Sequence, residues 1–173
     1  MKYTLETERL ILRPFSITDA YDMFNGWTSD EEVCKYVTWT VHKNVEETAD
    51  LLSYWELQYD IPERINFAIV LKENGKLIGG IDVVGYEEGI PVIGYNISRS
   101  YWNNGYVTEA CKKVIDFLFE LNHSKVRIDA MVENIASNKV IIKCGGKFIE
   151  TYKETFKKNN KEVTINKYYV YKE

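Results

Sequence analysis

The sequence predicts an α+β fold in which helices flank one mixed, mostly antiparallel sheet. Helix-period segments come early, and from Ile65 the apolar period changes to that of strands. Asn74-Gly75 and Asn159-Asn160 mark tight hairpins between strand-like runs. One strongly amphipathic segment, residues 107–118, separates two such runs and implies a single β-α-β crossover with one parallel pair. The resulting order, β-α-α-β-β-β-α-β-α-β-β, argues against a doubly wound parallel sheet.

Residues 8–14 (ERLILRP) alternate as a first strand, which Pro14 stops because it has no N–H to donate. Ser16-Ile17-Thr18-Asp19 supplies an N-cap for a helix to about Asn25. Residues 28–59 read as helical pieces around a break near Thr38 to Lys43. The best piece is 45–59, with Asn44 as N-cap, Glu46 and Glu47 in the first turn, and Leu51, Leu52, Trp55 and Tyr59 at helical spacing. Residues 65–72 and 76–86 form a hairpin, and 91–98 (PVIGYNIS) is the next strand. Val107, Ala110, Cys111, Val114, Ile115 and Leu118 share one helix face. Residues 125–133 are a strand, and Asn134 opens a helix ended by Gly145-Gly146. The tail is a hairpin with Tyr168, Tyr169 and Tyr171 in its last strand.

A chain of 173 residues is expected to form a single domain spanning 1–173 with a core that needs no disulfide or metal staple. Hydrophobic residues make up 45% and charged residues 28%, which excludes disordered and low-complexity architectures. The net charge of −4 argues against nucleic acid as a partner and favours a cationic one. No apolar run approaches the ~20 residues of a membrane span, and the first residues show no signal-peptide core. Cys34, Cys111 and Cys144 are odd in number and form no CxxC, so reduced thiols in a cytoplasmic protein are expected. His42 and His123 lack metal-ligand spacing, so no metal is expected. Gly146-Lys147 is followed by Phe148, so it is no phosphate-binding P-loop, and no GxSxG elbow occurs.

Two stretches carry the chemistry. In residues 93–110 (IGYNISRSYWNNGYVTEA) a strand gives way to a short polar turn, and a helix starts just after Gly105. Such a start presents unpaired N–H groups and the positive end of a helix dipole, which together bind phosphate. Gly105 lets a ligand approach the backbone, and Asn103 and Asn104 tolerate tight-turn geometry. An ordinary strand-turn-helix accounts for the same spacing. In residues 132–146 (VENIASNKVIIKCGG), Asn134 opens a helix directly after a strand, where capping explains it, and Ser137 lies one turn in.

Together these stretches resemble the GNAT family of N-acetyltransferases, in particular its ribosomal-protein N-terminal acetyltransferases and their small-molecule relatives. ETERLILRPFSITDA resembles that branch's start, FAIVLKENGKLIGGIDV its central hairpin, and the two stretches above its acetyl-CoA segments. The likeness runs in order over nearly the whole chain. It implies a sheet splayed at the cofactor site and acetyl-CoA as cofactor. Within the family's phosphate loop, Trp102 takes the first position, Gly105 the glycine, and Val107 the last, where its size is a departure that would crowd the pyrophosphate.

The resemblance further implies that the amides of Asn103, Asn104, Gly105, Tyr106, Val107 and Thr108 hold the pyrophosphate. The strand end at Tyr95 to Ile97 would pair with the pantetheine arm, and Asn134 would bond it too. Many members protonate the leaving thiolate with a tyrosine seven residues after the Asn134 position, but this chain has Ile141 there. Ser137, matching a serine of the ribosomal branch, is then the expected proton donor, directly or through water. For the base, Glu133, Asp82, Glu87, Tyr95 and a water chain all remain open.

The implied activity is transfer of an acetyl group to a primary amine in a ternary complex, without a covalent intermediate. The acceptor is an amine-bearing small molecule or a protein N-terminus. The competing reading, motivated by Ile141 and Val107, is a non-catalytic acyl-CoA-binding module. The acceptor pocket is expected from residues 27–59, walled by Trp27, Trp39, Tyr54 and Trp55, and from the loop 86–91. The last strands leave edges that suit a homodimer.

Overall fold

Strands β1 (Leu5–Glu6), β2 (Leu10–Arg13), β3 (Asn66–Leu71), β4 (Leu77–Glu87) and β5 (Ile90–Ile97) pair antiparallel in chain order. Helices α1 (Ala20–Met23), α2 (Glu31–Cys34) and α3 (Val45–Glu56) lie between β2 and β3. Helix α4 (Tyr106–Glu120) then crosses to β6 (Lys125–Met131), and α5 (Ile135–Lys143) leads to β7 (Lys147–Phe156) and β8 (Lys161–Tyr171). The computed structural model describes residues 3–173, and among these the sheet has eight strands in the order β1-β2-β3-β4-β5-β6-β8-β7. The β5/β6 pair is its parallel member, joined by α4 as the sequence predicts.

That parallel pair is short. Its register covers Val92 opposite Arg127 and Ile93 opposite Ile128, after which β5 runs on to Ile97 and β6 to Met131 without pairing to each other. Strand β6 instead follows β8 as far as Met131 opposite Ile165. The closed end below the gap is held by Arg127, whose guanidinium bonds Asp129 at 2.9 Å, the Tyr152 hydroxyl at 2.9 Å, and Glu87. These contacts tie β6 to β4 and β7.

The sheet divides the apolar interior in two. One cluster joins Phe67, Ile69, Ile81, Ile93 and Ile97 to Ala110, Cys111, Val114 and Leu118 of α4 and Ile141 of α5. The other joins Ala68, Val70 and Leu77 to Phe15, Met23, Trp27 and Leu52 of the α1–α3 layer. Because β3 is covered on both faces, all six of its residues are buried.

Several boundaries differ from expectation for local reasons. The first helix begins with a capping box between Ser16 and Asp19, but it continues past Asn25 through a π turn over Phe24–Thr28. The wider turn carries Trp27 into the core, where it is fully buried. Helix α3 ends at Glu56, and residues 57–64 close in turns that put the Tyr59 ring inside. Strand β1 is only two residues long, too short to show a period. Among the described residues, no helix is long and apolar enough to cross a membrane.

Two glycines in β4 are needed for close approach. A Cβ on Gly79 would sit well inside contact distance of the Asn96 carbonyl oxygen and 3.0 Å from Ile97 Cα, and one on Gly80 would meet the Phe15 ring at 3.0 Å. Gly85, further along the same strand, has open space around it. Gly79→Ala is therefore expected to destabilise the fold by roughly 1–3 kcal/mol through overpacking. Gly85→Ala should be neutral or slightly stabilising, and urea unfolding of the two variants measures the contrast.

Candidate active site

The polar turn after β5 is built largely by its own residues. A 3-10 turn over Arg99–Tyr101 carries the chain to Trp102, whose indole Nε1 donates to the Ile97 carbonyl at 3.0 Å. Asn104 Nδ2 donates to the Trp102 carbonyl at 2.9 Å, while Asn103 (φ 62°) and Gly105 (φ 80°) adopt left-handed backbone. The first intrahelical bond of α4 is Glu109 N–H to the Gly105 carbonyl. The N–H groups of Tyr106, Val107 and Thr108 thus have no acceptor within the helix and stand at its positive end. Val107 packs against the main core, which absorbs the bulk expected to crowd this loop.

Arg9, just before β2, completes the turn and was not among the residues singled out from the sequence. Its Nε lies 2.7 Å from Glu109, its Nη1 donates to the Asn104 carbonyl at 3.1 Å, and its guanidinium lies 4.4 Å from the Tyr106 ring centre. It adds an exposed positive charge beside the start of α4. A lone arginine at a strand start carries no sequence signal for this, because its partners lie about 100 positions away.

On the same face of the sheet, β5 meets α5. Asn134 caps the helix, its Oδ1 accepting the Ser137 N–H at 3.1 Å. The Tyr95 hydroxyl lies 2.8 Å from Ser137 Oγ and 3.3 Å from the Ser137 carbonyl oxygen. Burial pushes the Tyr95 phenol pKa well up, so it stays neutral and holds a proton. Ile141 is fully buried in the core below. A phenol therefore does reach α5, from the neighbouring strand and not from the helix itself.

The opposite face of the same strands carries a second polar group of atoms. In the β4/β5 register Tyr95 pairs with Ile81, whereas Gly94 pairs with Asp82 and Asn96 with Gly80. Alternation along β5 therefore sends Tyr95 to one side and Asn96 to the other. Asp82, Asn66 and Asn96 line a cleft with Phe15, Met23, Trp27 and Trp55. The Tyr59 hydroxyl accepts the Phe15 N–H at 2.8 Å and donates to Asn66 Oδ1 at 2.7 Å, which directs Asn66 Nδ2 away from it. The Asp82 carboxylate opens onto the cleft and is otherwise surrounded by protein. Loss of solvation pushes its pKa up to about 6, with Arg64 opposing.

The other carboxylates are placed differently. Glu87 is bound to Arg127 and Lys167 at the closed end of the β5/β6 pair, and Glu133 is exposed. The loop at 86–91, expected to shape the acceptor site, lies at that closed end too, because pairing with β6 starts at Val92. Of the aromatic residues expected as walls, Trp27 and Trp55 line the cleft, Trp39 packs on the second core cluster, and Tyr54 is exposed. Among the described residues, no three His, Cys, Asp or Glu side chains are grouped to hold a metal ion.

A family model of the acetyltransferase (GNAT) domain matches residues 9–147, and the chain belongs to this family. It is 33% identical over 141 residues to an uncharacterized N-acetyltransferase, p20, of Bacillus licheniformis, covering 80% of this chain and 79% of that one. The crystal structure of a GNAT-family acetyltransferase from Bacillus anthracis superposes with a TM-score of 0.85 at 24% identity, over 98% of both chains. RimL, a ribosomal L7/L12 alpha-N-protein acetyltransferase solved in complex with coenzyme A, superposes with a TM-score of 0.85 at 16% identity, over 98% of both chains. These two likenesses show the shared fold.

The raised pKa of Asp82 has a consequence for stability. A carboxyl group with a raised native pKa stabilises the fold while protonated, and that contribution is lost as pH rises from about 4 through about 6. Asp82→Asn stays neutral throughout. It is expected to raise the thermal midpoint at pH 8 by roughly 5 °C and to leave it nearly unchanged at pH 4.5. Differential scanning calorimetry at the two pH values checks this.

Proposed function

We propose that the protein is an acetyl-CoA-dependent N-acetyltransferase that acetylates a primary amine by direct attack in a ternary complex. The observation that carries this reading is the Tyr95–Ser137 hydroxyl pair, set beside the parted ends of β5 and β6 on the face where α4 begins. The residues present fit the cofactor. The free N–H groups of Tyr106, Val107 and Thr108, the left-handed Gly105 and the charge of Arg9 suit a pyrophosphate, with Asn103, Asn104 and Trp102 shaping the turn. The unpaired backbone beyond Ile93 suits the pantetheine amides, with Tyr95 and Ile97 on β5 and Asn134 opposite. Bound there, acetyl-CoA supplies an acetyl group activated as a thioester.

The residues around it hold and move protons. Ser137 Oγ carries a hydroxyl proton that can pass to a departing thiolate, and the neutral Tyr95 phenol can replace it along the 2.8 Å contact. Ile141 and Val107, which motivate the non-catalytic reading, both pack into the core, and Tyr95 brings the phenol that position 141 lacks. The net charge of −4 favours approach of a cationic amine, either a small molecule or a protein N-terminus. The exposed edge strand β7 leaves backbone open to pairing in a homodimer.

Two outcomes test this. Gly105→Val forces a β-branched residue into left-handed backbone. It should weaken coenzyme A binding tenfold or more in calorimetric titration while circular dichroism stays native; unchanged affinity would place the phosphate loop elsewhere. Ser137→Ala should lower kcat in a thiol-release assay by roughly 10- to 100-fold, with KM for acetyl-CoA nearly constant. A normal rate in that variant would leave solvent as the acid.

A further inference from the structure

We propose that Cys111 and Cys144 form an oxidation site: a peroxide oxidises the Cys144 sulfur, Cys111 closes a disulfide onto it, and the new bond between α4 and α5 weakens coenzyme A binding. The oxidation chemistry stands apart from the acetyltransferase reading, whereas its effect on coenzyme A binding rests on that reading.

The two thiols are distant in the chain and are brought together by helix packing. Both are free and buried, and both belong to the apolar cluster that α4 and α5 share. Cys111 follows Thr108 by three residues, so the two lie on one face of α4. Cys144 is the C-cap of α5, and its Sγ lies 3.7 Å from the Thr108 carbonyl oxygen. That contact sets the Cys144 sulfur against the turn of α4 that carries Cys111, and the Cys111 thiol donates a hydrogen bond to it. Sulfurs already in contact need only approach to about 2.05 Å to be joined.

The pair is asymmetric in the sense the reaction requires. Accepting the Cys111 hydrogen bond, with the Lys112 ammonium nearby, lowers the Cys144 pKa and favours its thiolate. The same hydrogen bond, together with burial, pushes the Cys111 thiol up. Cys144 is also 8% exposed at the end of its helix, next to the exposed Ile142 and Lys143, whereas Cys111 is 0% exposed. A peroxide therefore meets Cys144 first, and Cys111 resolves the product from within. Cys34, in α2, has a different environment. Its Sγ lies 3.5 Å from the Trp27 carbonyl oxygen and 3.7 Å from that of Thr28, and burial pushes its pKa up to about 11.

One equivalent of a peroxide, ROOH, balances the reaction. The Cys144 thiol loses its proton, and its sulfur bonds the terminal peroxide oxygen. The O–O bond breaks, and the departing RO⁻ takes up a proton as ROH, leaving a sulfenic acid on Cys144. The Cys111 sulfur then attacks the Cys144 sulfur. Hydroxide leaves with the Cys111 proton as water, and the S–S bond forms. Two electrons pass from the two thiols to the peroxide, which is reduced.

The bond acts on the site because each cysteine belongs to one of its helices. Thr108, one turn before Cys111, offers one of the free N–H groups at the start of α4. Helix α5, which Cys144 ends, carries Ser137 and its contact with the Tyr95 hydroxyl. Both thiols also lie close enough to Tyr95 for their charge to act on its phenol. Drawing the sulfurs to bond length pulls Cys144 against the first turns of α4, and a close-packed core passes that shift on to the Thr108 turn.

The test treats the intact, reduced protein with a few equivalents of hydrogen peroxide. Mass spectrometry should show the loss of two hydrogen atoms, and digestion should give one peptide pair joined through Cys111 and Cys144. The oxidised protein should bind coenzyme A about tenfold more weakly in calorimetric titration, and dithiothreitol should restore both mass and affinity. Cys34→Ser should respond as wild type does. Cys111→Ala, which keeps the core apolar, should stop at a sulfenic acid on Cys144 that dimedone traps, with coenzyme A affinity within about twofold of the untreated variant. Wild-type protein that keeps its thiols under peroxide, or that pairs Cys34 instead, overturns the oxidation site. A Cys111–Cys144 disulfide with unchanged coenzyme A affinity overturns the coupling to the cofactor site. Reduced protein that binds no coenzyme A would sink the acetyltransferase reading and the coupling with it, while the mass measurement still decides the oxidation site.

Discussion

The early end of the β5/β6 pairing is the constraint on which the rest of the molecule depends. Two paired positions join these strands, and beyond them the sheet opens although both strands continue. A sheet interior with unpaired backbone is costly unless something takes those groups up. Here the cost is localised. The Arg127 network clamps the closed end, and the Trp102 indole occupies the Ile97 carbonyl at the open end. What remains between is a slot in which β5 and β6 do not pair with each other.

The alternation of side chains across that sheet divides the chemistry. Tyr95 and Asn96 are neighbours in the chain, yet one points to the α4–α5 layer and the other to the α1–α3 layer. Each face has its own polar feature, a hydroxyl pair on one side and a carboxylate with unpaired amide and indole atoms on the other. Both titratable groups are shifted by the same cause, loss of solvation, in the sense that keeps a proton on Tyr95 and brings Asp82 close to neutral pH. The apolar clusters behind each face supply the low-dielectric surroundings that make these shifts possible. At Asp82, burial favours the neutral form of the carboxyl group over its ionised form.

Much of the architecture was legible from local pattern. The 107–118 helix, the Asn74-Gly75 hairpin and the caps at Ser16, Asn44 and Asn134 all appear where spacing put them. The left-handed turn at Gly105 followed from a glycine between a strand and a helix. Trp27 shows where this fails: a π turn is a small change in hydrogen bonding that no periodicity announces, and it decides whether the indole lines the cleft. Tyr54 and Trp55, adjacent on α3, were equally credible as walls, and only the packing direction of the helix separates them.

The sequence by itself determined which segments are helix or strand, where the hairpins turn, and which loop opens a helix with free N–H groups. These are properties of residues a few positions apart, and steric and hydrogen-bond preferences act at that range. Only the tertiary structure decided which of three carboxylates is desolvated, that Tyr95 meets Ser137 across 42 positions, and that Arg9 meets Glu109 across 100. Those outcomes rest on strand register, where a slip of one residue reverses the face of every side chain. The register is set by burial summed over the whole sheet.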